Sequence, residues 1–139
     1  MSWLVYAVIS AVAAAATAIL AKVGVGGVPS TLATAIRTCV VVIVAWLMVA
    51  QAGEWRALAQ VPRRSLVFLL LSGIGTGVSW LAYFRALQLG PASRVAPIDK
   101  LSLPLTVLLA ALLLGETVRW PVVVGVTLMT IGALVTLLG

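Results

Sequence analysis

Five apolar stretches of membrane-spanning length follow one another in a chain of 139 residues, and their succession leaves little room for anything else. They lie near Trp3 to Ala21, Ser30 to Ala50, Ser65 to Leu89, Ser93 to Leu114 and Trp120 to Leu138. A bilayer core of about 30 Å takes roughly 20 helical residues, so each stretch is long enough to cross. Lipid pairs with no backbone N–H or C=O, so a lone crossing segment must be a helix. The sequence therefore predicts an all-α membrane protein of five transmembrane helices, in one domain over residues 1–139. Hydrophobic residues make up 63% and charged residues 9%, where a soluble domain carries about a quarter charged, so no soluble domain is left over. The start, Met1-Ser2-Trp3-Leu4, has no basic n-region, which predicts a retained first span rather than a cleaved signal.

The connections are short and carry their own punctuation. Gly24, Gly26, Gly27 and Pro29 separate the first span from the second, Gly90-Pro91 stops the third, and Pro121 suits the first turn of the fifth. The longest connector, Gln51 to Arg64, holds Glu54-Trp55-Arg56 and Arg63-Arg64. Trp55 and Trp120 are placed as interface anchors. On the side of the N-terminus lie Arg56, Arg63, Arg64 and Arg119; on the other lie Lys22, Arg85 and Arg94. This small excess leans towards a cytoplasmic N-terminus and leaves room for insertion in both orientations. An odd number of spans means that a second copy fused behind the first would enter the membrane upside down, which is how inverted repeats arise. The net charge of +6 suits anionic lipid headgroups, and no nucleic-acid motif accompanies it. The single cysteine, Cys39, can form no intramolecular disulfide, and without histidine no metal site of soft or imidazole ligands is expected.

The fourth stretch is the least lipid-like. Its first third carries Arg94, Asp99, Lys100 and the prolines Pro97 and Pro104. The uninterrupted apolar part, Leu101 to Leu114, covers only about 21 Å, so the charges lie at membrane depth or close to it. A charge facing lipid costs roughly 2.5 to 3.5 kcal/mol on insertion scales, so Asp99 and Lys100 are expected to face a bundle interior or a wet cavity. Asp99, Ser102 and Thr106 share one face. Asp99 and Lys100 diverge by about 100° on a helix, so each is expected to find another partner: Arg37 or Arg85 for Asp99, backbone carbonyls or a substrate anion for Lys100. A purely structural Asp99–Arg37 or Asp99–Arg85 pair is the competing reading. Gly115-Glu116 ends this helix.

The other spans are patterned more lightly. The first presents Tyr6, Ser10 and Thr17 beside the small residues Ala11 to Ala16, a packing pattern. In the second, Arg37 lies about 10 Å beyond Ser30 and either snorkels to the near interface or faces a cavity; Thr34 and Thr38 flank it, and Trp46 is read as lying deeper. In the third, Ser65, Ser72, Thr76, Ser79 and Tyr83 fall on one stripe, which should face other helices or a pore. Gly73 and Gly77 form a GxxxG pair with Gly75 between them. Trp80 and Tyr83 either line a pocket or belong to the interfacial aromatic belt. The fifth span has no charge, and Gly125 and Gly132 lie on nearly one face, which marks packing or subunit contact.

TAIRTCVVV in the second span, SWLAYFRALQLG in the third and VAPIDKLSLPLTVLLAALLLGE in the fourth resemble EamA-type members of the drug/metabolite transporter superfamily, and more narrowly its single-domain, five-helix group. The resemblance covers essentially the whole chain. It implies one EamA-type bundle in the plasma membrane of a prokaryote, half of an inverted-repeat transporter, paired with an antiparallel partner that is a second copy of itself. It implies a secondary transporter moving a small metabolite or amphipathic compound by alternating access, without a cofactor. Helices one to four would line the path and the fifth would hold the dimer. On that reading Trp80 and Tyr83 supply stacking, Ser79, Ser102 and Thr106 supply hydrogen bonds, and Arg37, Asp99 and Lys100 set charge selectivity or coupling. The chain lacks the acidic residue midway along the first helix of four-helix small multidrug resistance proteins, so their coupling carboxylate has no counterpart here. A passive channel at a dimer centre and a non-transporting accessory protein are the alternative functions. No phosphate loop, histidine or pair of carboxylates at workable spacing points to an enzyme.

Overall fold

The computed structural model describes residues 3–138, so the reading of Met1 and Ser2 lies outside the described residues. The helices are α1 (Trp3–Gly24), α2 (Ser30–Ala52), α3 (Trp55–Leu58), α4 (Arg63–Leu89), α5 (Ala92–Asp99), α6 (Ser102–Leu114) and α7 (Trp120–Val135). There is no strand among the described residues. Four spans are long and apolar enough to cross a membrane: α1, α2, α4 and the 23-residue run Ala92–Leu114 that contains α5 and α6. All five expected segments are therefore helical, with three differences. The fourth is split in two, α7 stops at Val135 rather than Leu138, and the long connector holds the extra turn α3. At 16 residues α7 covers only about 24 Å.

Glycine and proline set the ends. Gly53 and Gly115 adopt φ +69 and +67, and in each case the following amide turns back to a carbonyl in the last turn, Glu54 N–H to Val49 O at 3.1 Å and Glu116 N–H to Ala110 O at 3.2 Å. These are left-handed helix stops of the kind glycine alone adopts without steric cost. Gly27, at φ +77, does the same service in the α1–α2 turn. Pro91 precedes α5, and Pro121 stands in the first turn of α7, where no N–H is missed.

The chain divides into two compact units, Leu20–Gln88 and the two chain ends outside it, up to Ile19 and from Leu89 onwards. In the first unit, Val25 of the α1–α2 turn, Thr34 of α2, and Phe84 and Leu87 of α4 are buried. Burial is confined to that end. From Arg63 to Gly75 every residue of α4 is exposed, as is α2 from Thr38 to Met48. At its other end, Gly53 redirects the chain so that Trp55 of α3 stacks on Trp46, with ring centroids 5.4 Å apart and planes 10° from parallel. Trp46 is thus six residues from the end of α2 and pairs with the connector. In the second unit, α7 packs against α5 and α6 and buries Ala133, with Val126 and Thr130 half-buried on the same face. Gly125 and Gly132 lie off that face, and a methyl group added to either meets nothing within 4 Å.

Replacing Gly115 by alanine should destabilise the protein by about 1 kcal/mol, because open space around the site does not relieve the left-handed backbone. Thermal unfolding in detergent measures this, with Gly53→Ala expected to behave alike.

Candidate functional site

In the unit Leu20–Gln88 the site begins with Arg37. Its guanidinium carbon lies 4.2 Å from the centroid of the Trp80 ring and 5.5 Å from that of Phe84, two residues one turn apart on α4. Both distances are within the range of cation–π attraction, worth about 0.5 to 2 kcal/mol. Phe84 is 3% exposed and fixed by packing; Tyr83 meets it edge-on with centroids 6.5 Å apart. Arg37 and Trp80 are half-buried, and Ser79 is exposed. Trp80 lies nine residues before the end of α4 and Phe84 five, so the guanidinium sits nearest the ring farther from the helix end.

Two polar ties hold α4 beside this site. The Lys22 ammonium donates to the Leu87 carbonyl, and the Gln88 side-chain amide donates to the Val28 carbonyl. The Leu87 carbonyl belongs to the last turn of α4, where helix carbonyls lack an intrahelical partner and a cation is favoured by the helix dipole. Arg85 donates to the Gln88 amide oxygen at 3.2 Å, which orients the amide for its own bond to Val28. Sequence reasoning passed over Lys22, Phe84, Leu87 and Gln88. The available signal was a lysine in the last turn of α1 and a glutamine in the last turn of α4, both polar residues at the ends of otherwise apolar helices.

In the other unit the fourth span breaks between α5 and α6, and the cause is local. Pro104 has no N–H to give the carbonyl four residues back, which is that of Lys100. The Lys100 carbonyl instead accepts from Leu103 at 2.9 Å, and the preceding amides also bond three residues back, Lys100 to Pro97 and Leu101 to Ile98, at 3.1 and 3.0 Å. Pro97, inside α5, removes a second donor one turn earlier. At the break the Lys100 ammonium meets the Asp99 carboxylate at 3.1 Å, with side chains 56% and 34% exposed. This corrects the expectation that adjacent residues cannot pair: both side chains are long enough to curl together once the regular helix stops. It also corrects the partners expected for Asp99, since Arg37 rests on aromatic rings and Arg85 on Gln88. Ser102 opens α6, its carbonyl accepting the Thr106 hydroxyl at 2.8 Å, and both side chains are exposed.

The hydroxyl stripe of α4 is paired within its own helix at one position. Thr76 donates to the Ser72 carbonyl at 3.0 Å, and Ser65, Ser72, Thr76 and Ser79 are all exposed. Thr34, Thr38, Thr127 and Thr130 likewise donate to carbonyls four residues back, at 2.7 to 2.8 Å. A threonine that bonds its own helix needs no second helix to satisfy its proton.

Long apolar helices, one of them broken at a charge pair, define a multi-span membrane protein with charged groups within its apolar spans. The chain belongs to the EamA-like transporter family, which it matches over residues 1–138. It is 48% identical over 133 residues to a Sinorhizobium protein named as an uncharacterized transporter in the cobO 3' region, covering 96% of this chain and 94% of that one. No solved structure matches it.

Truncating the Lys22 tie by Lys22→Met should lower stability by about 1 to 3 kcal/mol, the cost of leaving a charged-group hydrogen bond unmade, with Arg56→Met as an exposed control near zero. Thermal midpoints in one detergent compare the two.

Proposed function

We propose that this membrane transporter is a secondary transporter subunit that moves a small metabolite or amphipathic compound by alternating access, working as an antiparallel homodimer in the plasma membrane of a prokaryote. The observation that carries the reading is the break at Lys100–Leu101 within a 23-residue apolar span. Discontinuous helices with freed backbone groups and charges near mid-membrane are the usual substrate and coupling sites of secondary transporters. Asp99 lies seven residues inside the span, about 10 Å along it. A charge pair that open would be costly against lipid, which supports a water-filled path or a partner on that side.

The roles follow from the chemistry. Asp99 is the carboxylate available for coupling, with Lys100 as its resting partner and Ser102 and Thr106 as the hydroxyls beside the break; in the unit Leu20–Gln88, Arg37, Ser79, Trp80 and Tyr83 are the charged, hydroxyl and aromatic groups of α2 and α4. A homodimer supplies the inverted second half that one odd-numbered bundle lacks, and the open glycine face of α7 at Gly125 and Gly132 lets helices approach closely.

Flux in proteoliposomes under an imposed proton gradient tests the reading. Asp99→Asn should abolish uphill uptake while the protein elutes and melts as wild type; unchanged uptake with unchanged pH dependence makes Asp99 structural. Pro104→Ala should supply the amide donor that Pro104 lacks, stabilise the fourth span by up to about 3 kcal/mol and slow transport, because a continuous helix loses the break at the charge pair. Flux that neither saturates nor runs uphill identifies a passive channel instead.

A further inference from the structure

We infer that Arg37 is the anchor for a monovalent organic anion, so that the transported compound is an amphipathic carboxylate; this rests on the transporter reading above. The argument starts from what Arg37 lacks. A guanidinium has five N–H donors in one plane and no acceptor. In this structure ring contacts with Trp80 and Phe84 take its faces, and no hydrogen bond or ion pair within the described residues takes its edge. A stacked guanidinium keeps its in-plane fork available, and that fork matches a carboxylate bidentately.

The chain cannot supply that carboxylate from nearby. It has three acidic residues against nine basic ones. Asp99 is held by Lys100, and Glu54 and Glu116 are exposed residues at helix ends. Of the other cations of the same unit, Lys22 lies on the Leu87 carbonyl and Arg85 on Gln88, while Arg56, Arg63 and Arg64 are exposed residues in the connector and the first turn of α4. The ring pair holds a single guanidinium, which matches one negative charge on the ligand. Arg37 is also pre-positioned. It lies seven residues inside α2 and leans on the ring farther from the end of α4, where burial of Phe84 and the Lys22 and Gln88 ties hold that ring pair in place. Beyond the Arg37–Trp80 contact, Val40, Val41 and Val44 follow on the Arg37 face of α2 and are exposed, an apolar stripe suited to the ligand's body.

Purified protein in phosphatidylcholine nanodiscs is titrated with octanoate, 4-phenylbutyrate and indole-3-acetate, each beside its neutral amide, and with tetraphenylphosphonium, reading the thermal midpoint and tryptophan fluorescence. At least one carboxylate is expected to raise the midpoint where its amide does not, because the ligand binds only the folded protein. Arg37→Gln should weaken that binding roughly 10- to 100-fold, and Arg37→Lys should weaken it less, since charge survives but the fork does not. A wild-type midpoint for both variants shows that folding is intact, and a circular-dichroism spectrum checks the helix content of either one that shifts. The same titration with phosphatidylglycerol in the nanodisc separates a lipid phosphate from a free anion. Stabilisation by that lipid alone, by the cation or amides instead, or by carboxylates equally well in Arg37→Gln, overturns the inference. Proteoliposome flux separates the two readings: uphill transport of a neutral or cationic compound sinks the anion site and leaves the transporter, whereas Arg37-dependent carboxylate binding without saturable flux sinks alternating access and leaves the site.

Discussion

Inside a bilayer no water meets a backbone carbonyl that has lost its donor, and most of this structure can be read as ways of keeping every such group paired. The helices pair their own interiors. Gly53 and Gly115 fold the chain back so that the next amides reach the carbonyls of the last turn. Lys22 reaches the carbonyl of Leu87 and Gln88 that of Val28, so two helix or turn ends are closed by side chains from elsewhere in the same unit. Threonines along α2, α4 and α7 return their protons to their own helices. Against that economy, the region from Pro97 to Pro104 stands out: two donors are deleted by proline, the hydrogen bonds shorten to three-residue steps, and a charge pair sits where the ladder is weakest.

The same scarcity governs charge. With nine cations and three carboxylates, most positive groups cannot be neutralised by acids of the chain. Lys22, Arg85, Arg37 and Arg64 are placed instead on a carbonyl, an amide and aromatic faces, each of which attracts a cation while leaving part of its donor set unused. An ammonium on a helix-end carbonyl, such as Lys22, closes a structural gap. A guanidinium laid over Trp80 and Phe84 keeps its hydrogen-bonding edge. The distinction between a structural cation and a receptive one lies in that residual capacity, not in burial alone, since Lys22 and Arg37 are both half-buried.

The spans, their order and the punctuation at Gly90-Pro91, Gly115 and Pro121 were legible because helix length and backbone chemistry are local properties that the sequence states directly. The break in the fourth span was legible for the same reason, as two prolines near two charges. Partner choice was not. Asp99 was expected to reach Arg37 or Arg85 on the assumption of a regular helix, and the pairing with Lys100 follows from the irregular one. The Trp46–Trp55 stack depends on the direction in which Gly53 sends the chain, and no periodicity encodes that. The α4 stripe was legible as a shared face, but a 3.6-residue spacing does not show which hydroxyl bonds its own turn, as Thr76 does to the Ser72 carbonyl. The ties of Lys22 to Leu87 and of Gln88 to Val28 were invisible because they join positions 65 and 60 residues apart.

On the transport reading, the uneven packing of the unit Leu20–Gln88 has a mechanical consequence. Its buried residues, Val25, Thr34, Phe84 and Leu87, form one short zone bound by the Lys22 and Gln88 ties. Packed zones resist deformation, whereas helices that share no buried contact move relative to each other at little energetic cost. Arg37 and Trp80 lie at the inner margin of that zone, one turn beyond Thr34 on α2 and Phe84 on α4. A ligand held there would touch the last fixed turn and the first free one together. Its differential affinity for two spacings of α2 and α4 would then bias their separation, and only such a difference in affinity allows a ligand to shift a conformational equilibrium.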